Sequence, residues 1–159
     1  LEALMTPTDN DGVATVKLHA GTVMGSAMTF YQHDLGKQLA GPTVEIGFDV
    51  STLSPTGKSP VPTKPMVGKP VSLFLTLEDD YGNLAADQSV LWTFNSPTIL
   101  PIETDTNRAG LAEVTFTSEE PESITVTATI LANGNKAIFR PIEFTPAADG
   151  SADSPLSMA

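Results

Sequence analysis

The chain has 159 residues, 40% of them hydrophobic and 17% charged, which is enough apolar content for one domain of ordinary size and a smaller unit. Its formal net charge is −11, from 8 basic and 19 acidic residues, and this balance excludes a protein that binds nucleic acid through a basic surface. Cysteine is absent, which excludes disulfides, thiolate zinc sites and cysteine nucleophiles.

Residues 1–50 contain three runs in which apolar and polar residues alternate, as they do in half-buried strands. The runs cover 13–18, 26–31 and 43–50. Three strands with one apolar face are too few to close a sandwich. We therefore expect this region to fray, to dock on the following domain or to pair with another molecule.

Part of this first region recurs later in the chain. The matching residues are Gly12, Ala14, Val16 and Leu18 with Gly110, Ala112, Val114 and Phe116, which follow 98 residues later. A period of about 100 residues is the length of one immunoglobulin-type sandwich. We interpret residues 1–50 as the C-terminal half of such a repeat, and chance similarity between two β-turn-β units is the alternative.

Residues 51–62 are predicted to be a proline-rich linker. Pro55, Pro60 and Pro62 cannot donate a ladder hydrogen bond and favour a semi-rigid extended chain. The end of this stretch, around 61–67, is compatible with an edge strand, where proline is tolerated.

Residues 63–146 are predicted to form one complete domain, followed by a disordered tail at 147–159. Runs of alternating β-branched, aromatic and polar residues cover 71–77, 88–94, 111–117 and 124–130. Asn133-Gly134 predicts a two-residue hairpin of type I′, and Pro141 predicts an edge or a bulge in the last strand. The predicted fold class is all-β: an immunoglobulin-like antiparallel β-sandwich, preceded by a partial repeat of the same type.

Two stretches of this domain carry extended turn-and-strand motifs. Residues 80–94 read D-Y-G-N-L-A-A-D-Q-S-V-L-W-T-F, and residues 104–118 read T-D-T-N-R-A-G-L-A-E-V-T-F-T-S. They resemble the motifs D-x-x-G-N-P-V-x-x-x-x-V-x-F-T and T-D-x-x-G-x-A-x-V-T-L-T-S of the bacterial immunoglobulin-like repeats in the invasin and intimin family. Leu84 replaces a favoured proline, and the second motif has two extra residues before its glycine. The resemblance covers about 61–146, and its second half covers 6–48.

This resemblance implies an extracellular protein, secreted or on the surface of a bacterium. It implies a module of an adhesin- or invasin-type protein that mediates protein–protein interaction at the cell surface or in a secreted adhesive complex. The implied partner is a host receptor or another exported or surface immunoglobulin-like bacterial protein, and strand addition at a sheet edge is a natural mode of binding. A passive structural spacer in a longer surface stalk is the alternative.

We expect no enzymatic activity and no cofactor. His19 and His33 lie near strand ends with no nucleophile motif beside them. The acidic turns at 9–12 and 78–80 are interpreted as turn-forming, with Ca²⁺ binding as the alternative. No segment approaches about 18 consecutive apolar residues, so we expect no membrane insertion.

Three apolar residues are predicted to face outward and to bind the protein partner: Phe74, Leu91 and Phe139. Each has the opposite parity to the apparent core residues of its strand, and outward apolar side chains among threonines are typical of an interface. A strand bulge that inverts the parity is the alternative. Trp92 is expected to fill the centre of the sandwich.

Overall fold

The computed structural model describes residues 5–32 and 36–147, and the chain divides into two units, Leu1–Gly47 and Phe48–Ala159. His33 and most of the predicted tail lie outside the described residues. Within the described ranges, no helix is long and apolar enough to cross a membrane.

The first unit is built on one antiparallel hairpin. Strand β1 (Gly25–Gln32) pairs with β2 (Gln38–Ile46), and their register shifts between Met28 and Phe30. Residues 13–18, predicted as a strand, are assigned to none in the structure. An alternating sequence becomes a strand only when a neighbouring strand accepts its backbone hydrogen bonds, so the pattern alone does not suffice.

The second unit contains a short 3-10 turn, Val50–Thr52, and a series of short strands. The strands are β3 (Ser54–Lys58), β4 (Val71–Glu78), β5 (Ser89–Phe94), β6 (Ile102–Asp105), β7 (Leu111–Phe116), β8 (Ser123–Ile124), β9 (Val126–Ile130), β10 (Lys136–Ile138) and β11 (Ile142–Glu143). They form a three-stranded sheet in the order β3-β4-β7, a four-stranded sheet in the order β10-β9-β5-β6, and the pair β11-β8. All pairings between these strands are antiparallel.

The core lies between the two larger sheets. In β4 the residues Val71, Leu73, Leu75 and Leu77 are buried while the intervening side chains are not, which confirms the predicted alternation. Trp92 is fully buried, as predicted, and its indole N–H donates to the Thr104 hydroxyl over 2.9 Å. That bond satisfies the only polar atom of the ring, so its large apolar surface can be buried without an unpaired donor.

The range 51–62 is not the linker that its prolines predict. Strand β3 lies within it and pairs with β4, and the Leu53 side chain is 0% exposed. The side-chain amides of Asn133 and Asn135 donate to the Leu53 carbonyl over 2.8 and 2.7 Å. Pro55 is accommodated because β3 is at the edge of its sheet, beside a register shift.

The hairpin at Asn133-Gly134 is present, but the predicted type I′ turn is wrong. That turn requires positive φ at both central residues. Gly134 has φ +79°, whereas Asn133 is not among the described residues with positive φ. The loop is longer than two residues, because the backbone N–H of Ile130 donates to the carbonyl of Asn135 over 2.8 Å.

Candidate partner-binding surfaces

Phe74 lies on the outer face of the three-stranded sheet. Its side chain is 40% exposed, and its cross-strand neighbour on β7 is Glu113. On the same face, the hydroxyls of Ser72 and Thr115 are 2.7 Å apart. Phe74 is therefore a single aromatic side chain on a polar sheet surface, with the outward orientation that the sequence predicts.

Leu91 lies on the outer face of the other, four-stranded sheet. It is half-buried, and its cross-strand neighbours are Glu103 on β6 and Thr129 on β9. Because the two outer faces point away from the core in opposite directions, the structure does not bring Leu91 and Phe74 into one surface.

The predicted outward orientation of Phe139 is wrong. Its side chain is 3% exposed, and its ring centroid lies 5.9 Å from that of Trp92. The ammonium group of Lys58 lies 5.8 Å from the Phe139 centroid and covers the ring from the edge of the sandwich. Ile138, one residue earlier, faces outward and is 61% exposed.

The inward parity changes between Phe139 and Ile142, since Ala137 and Phe139 are buried before this point and Ile142 and Phe144 after it. The alternative of a parity-inverting bulge was therefore the correct one, and its sequence signal was Pro141.

We define the Leu91 face as the outward residues of the four-stranded sheet around Leu91: Leu91, Thr93, Thr127, Thr129 and Ile138. The pairings Thr93↔Thr127↔Ile138 and Leu91↔Thr129 place these residues on adjacent rows of the sheet. Charged residues border them, since Lys136 pairs with Thr129 and Glu103 pairs with Leu91. The face therefore holds two apolar side chains that are separated by threonines and bordered by charged residues, a mixture that is common in non-obligate protein interfaces.

The Asp79 carboxylate organises one end of the second unit. One of its oxygens accepts from the backbone N–H groups of Tyr81 and Asn83, both over 2.9 Å. The other accepts from the Asn83 side chain over 2.8 Å and from the N–H of Asp49 over 3.0 Å. Asp79 therefore closes its own turn and fixes the point at which the chain enters the unit. The motif D-x-x-G-N fits this turn when it begins at Asp79. The sequence comparison began the motif at Asp80 and therefore missed this role of Asp79.

This hydrogen bonding predicts a specific dependence of stability on pH. Burial of the Asp79 carboxylate opposes its ionisation, but the bonds from Asn83, Asp49 and Tyr81 outweigh burial and lower its pKa from 3.8 to about 2. A carboxylate with a lowered folded-state pKa stabilises the fold above its unfolded-state pKa, and this contribution is lost as pH falls through the folded-state value. We expect the free energy of unfolding to fall between about pH 4 and pH 2.

The measurement is urea denaturation at a series of pH values for the wild type and for Asp79→Asn. The variant should lose part of the slope between pH 4 and pH 2, because its amide does not titrate. Asp80→Asn, which changes the adjacent exposed carboxylate, is the matched control and should keep that slope. Equal slopes in the wild type and Asp79→Asn would contradict the assignment.

The acidic turns form no evident metal centre. Among the described residues, no group of three or more histidine, aspartate or glutamate side chains is arranged to hold a metal ion. In the turn at Asp9, the carboxylate accepts from the N–H groups of Asp11 and Val13 over 3.0 and 2.8 Å. Like Asp79, Asp9 thus directs its oxygens at its own backbone, which supports the turn-forming interpretation.

Comparison with known sequences finds a family match within the second unit. Residues 69–145 match the sequence model of the family described as bacterial Ig-like domain (group 1). This match confirms the resemblance drawn from the two motifs. No curated protein matches the chain in sequence.

Solved structures with the same fold include invasin, described as a bacterial integrin-binding protein, and two pieces of intimin. Invasin is 20% identical with a TM-score of 0.50, and the match covers 60% of this chain and 19% of invasin. The D0-D1 domains of intimin give 20% and 0.52, over 68% of this chain and 55% of theirs. The D00-D0 domains of intimin give 17% and 0.51, over 84% and 70%. These likenesses confirm the immunoglobulin-like sandwich.

Proposed function

We propose, from the premise that residues 69–145 are a bacterial immunoglobulin-like domain, that this protein is an extracellular module of an adhesin- or invasin-type protein. It acts by binding another protein, at the bacterial surface or in a secreted adhesive complex. The partner is a host receptor or another exported immunoglobulin-like protein. Invasin, which has the same fold, is itself described as integrin-binding.

The observation that carries this proposal is the Leu91 face. Ile138 is 61% exposed on the short edge strand β10, where a solvated sheet would ordinarily present a polar residue. Between Ile138 and Leu91 stand threonines, whose methyl groups extend the apolar surface and whose hydroxyls can still bond to a partner. Leu91 therefore remains a proposed contact residue, and Ile138 replaces Phe139. Phe74, the third predicted contact residue, lies on the other sheet and is not part of this face.

The face also has the mechanical properties that recognition requires. Four of its five residues lie on central strands, β5 and β9, each hydrogen-bonded to strands on both sides, and Ile138 lies on the edge strand β10. Their inward residues, among them Trp92 and Ala128, are buried. A partner would therefore meet a preorganised surface and would not have to order it on binding, which lowers the entropic cost of association.

The test is capture of a partner by the immobilised full chain, with the secreted fraction of the native bacterium and solubilised host-cell surface proteins as two separate probes. A partner that binds the Leu91 face should be recovered by the wild type, and its recovery should fall at least about 10-fold with Ile138→Glu, because the contact would then bury an unpaired charge. Circular dichroism and thermal melts would establish that the variant is folded.

Phe74→Glu is the matched control, since it places the same charge on the opposite outer face. Recovery by this variant should equal that of the wild type. Loss of the partner with Phe74→Glu but not with Ile138→Glu would move the site to the three-stranded sheet. Recovery of no specific protein from either probe would contradict the binding function and favour a passive spacer.

A further inference from the structure

The first unit contains a turn that repeats one in the second unit. In the turns that begin at Asp9 and Asn107, the side-chain oxygen of the first residue accepts from the N–H groups two and four residues later. These distances are 3.0 and 2.8 Å in the first turn and 2.8 and 3.1 Å in the second. Gly12 and Gly110 take the left-handed position with φ +77° and +67°. A similar turn begins at Asp79, so a second correspondence is needed to establish a repeat.

The hairpin β1–β2 supplies that correspondence. Its pairings match those of β8–β11 and β9–β10, with residue numbers 97 higher in the first strand and 98 higher in the second. The matched pairs are Ser26↔Glu45 with Ser123↔Glu143, Ala27↔Val44 with Ile124↔Ile142, Phe30↔Ala40 with Thr127↔Ile138, Tyr31↔Leu39 with Ala128↔Ala137, and Gln32↔Gln38 with Thr129↔Lys136. The register shift of β1–β2 falls where β8 gives way to β9.

A side-chain contact repeats as well. The Ser26 hydroxyl donates to the Glu45 carboxylate, and the Ser123 hydroxyl donates to the Glu143 carboxylate over 2.6 Å. Within a ladder one pair determines the others, so the features that a generic hairpin would not share are the matching register shift and the repeated Ser–Glu contact.

The two units differ in how far the inward face of this hairpin, and of the segment before it, is buried. In the second unit, the core residues Val114 and Phe116 are 2% and 5% exposed. Their counterparts in the first unit, Val16 and Leu18, are 47% and 58% exposed. Tyr31 and Leu39, the counterparts of the buried pair Ala128 and Ala137, are 59% and 39% exposed.

The strand pairings identify which strands would bury this face. In the second unit, β7 pairs with β4, and β9 pairs with β5 as well as with β10. In the first unit, among the described residues, residues 13–18 have no neighbouring strand and β1 pairs with β2 alone. Counterparts of β4 and β5 are therefore the elements that would complete both sheets and bury the face.

We propose that residues 9–46 are the second half of an immunoglobulin-like unit and that their exposed apolar face binds the first half of such a unit. This partner carries counterparts of β3, β4 and β5, and residues 48–106 are a segment of this kind. The second unit shows how such a segment connects, since its own first half runs through β6 directly into the turn at Asn107. The face is thus a docking surface for a first half and is distinct from the Leu91 face.

The test duplicates residues 48–106 and joins the copy directly to Asp9 of the chain, so that Thr106 precedes Asp9 as it precedes Asn107. Amide hydrogen exchange is then compared between residues 13–46 of the fusion and of the unfused chain. We expect protection in this region to rise at least about 10-fold in the fusion, because isolated hairpins open readily and completed sheets do not.

A second fusion adjusts the side chains of the first unit to the copied residues 48–106. It carries Tyr31→Ala and Leu39→Ala, which restore the small residues that Ala128 and Ala137 provide opposite Trp92 and its neighbours. Whichever fusion gains protection should lose it with Val16→Asp, the counterpart of buried Val114. It should keep it with Lys17→Asp, the counterpart of exposed Thr115.

Absence of added protection in both fusions would overturn the proposal. A second outcome would also overturn the proposal: protection of the unfused chain that rises with its concentration, together with a dimer in sedimentation. The apolar face would then be buried by a second copy of the chain.

Discussion

Replacing Phe139 by alanine is expected to lower the free energy of unfolding of the second unit by about 3–5 kcal/mol. The ring is 3% exposed and packs 5.9 Å from the centroid of Trp92, the largest fully buried side chain of the core. Its removal leaves a cavity between the sheets beside a rigid indole that cannot move to fill it. The measurement is urea unfolding followed by Trp92 fluorescence, with the change read as a shift in midpoint at constant m-value.

Ile138→Ala is the matched control for this prediction. The two residues are adjacent and both are large and apolar, but Ile138 is 61% exposed on the outer face. Its replacement should change the free energy of unfolding by no more than about 0.5 kcal/mol. If Ile138→Ala destabilised the unit and Phe139→Ala did not, the observed orientation of β10 would be refuted and the outward Phe139 predicted from sequence would be restored.

Leu53→Ala is expected to destabilise the second unit by about 2–5 kcal/mol, although the residue lies in a stretch that reads as a linker. Its side chain is 0% exposed and belongs to the common core. Its carbonyl accepts from both Asn133 and Asn135, so the hairpin beyond β9 is attached to the same point. A thermal melt should show a drop of about 8 °C or more for a domain of this size.

The control for Leu53 is Val50→Ala, in the short 3-10 turn just before it. Val50 is 41% exposed, so truncation should leave the melting temperature within about 2–4 °C of the wild type. Equal, small effects of both substitutions would mean that 51–62 behaves in solution as the linker its composition predicts.

The strands of five or more residues that bury alternate side chains were predictable from sequence. In β4, β5, β7 and β9 the alternation of apolar and polar residues is the same pattern that burial imposes. The turn at Asn107 also has a local sequence signal, since an asparagine three residues before a glycine is sufficient to close it through local hydrogen bonds.

The errors lie at edges and ends, where local chemistry leaves the choice to distant contacts. Pro55 disfavours a strand in general, yet β3 forms because an edge strand needs hydrogen bonds on one side only. Asn133 suggests a tight type I′ turn, yet its side chain instead donates to Val50 and Leu53 carbonyls roughly 80 residues earlier in sequence. Residues 13–18 have the pattern of a strand and lack the neighbour that would make them one.

The candidate site shows the same division. The outward orientation of Phe74 and Leu91 was predicted correctly, because each alternates with buried residues of its strand. Phe139 was predicted to face outward because the alternation was extended through Pro141, whereas the parity changes between Phe139 and the buried Ile142.

The sequence by itself determined the all-β class, the long alternating strands and their glycine turns, since each depends on residues close together in the chain. It also contained the recurrence of residues after 98 positions, which follows from direct comparison of the two stretches. Only the tertiary structure decided that β3 joins the core, that Ile138 and not Phe139 faces outward, and that the two outer faces are separate. These outcomes depend on which strand lies beside which, and pairing between strands is a cooperative property of the whole sandwich that no single segment encodes.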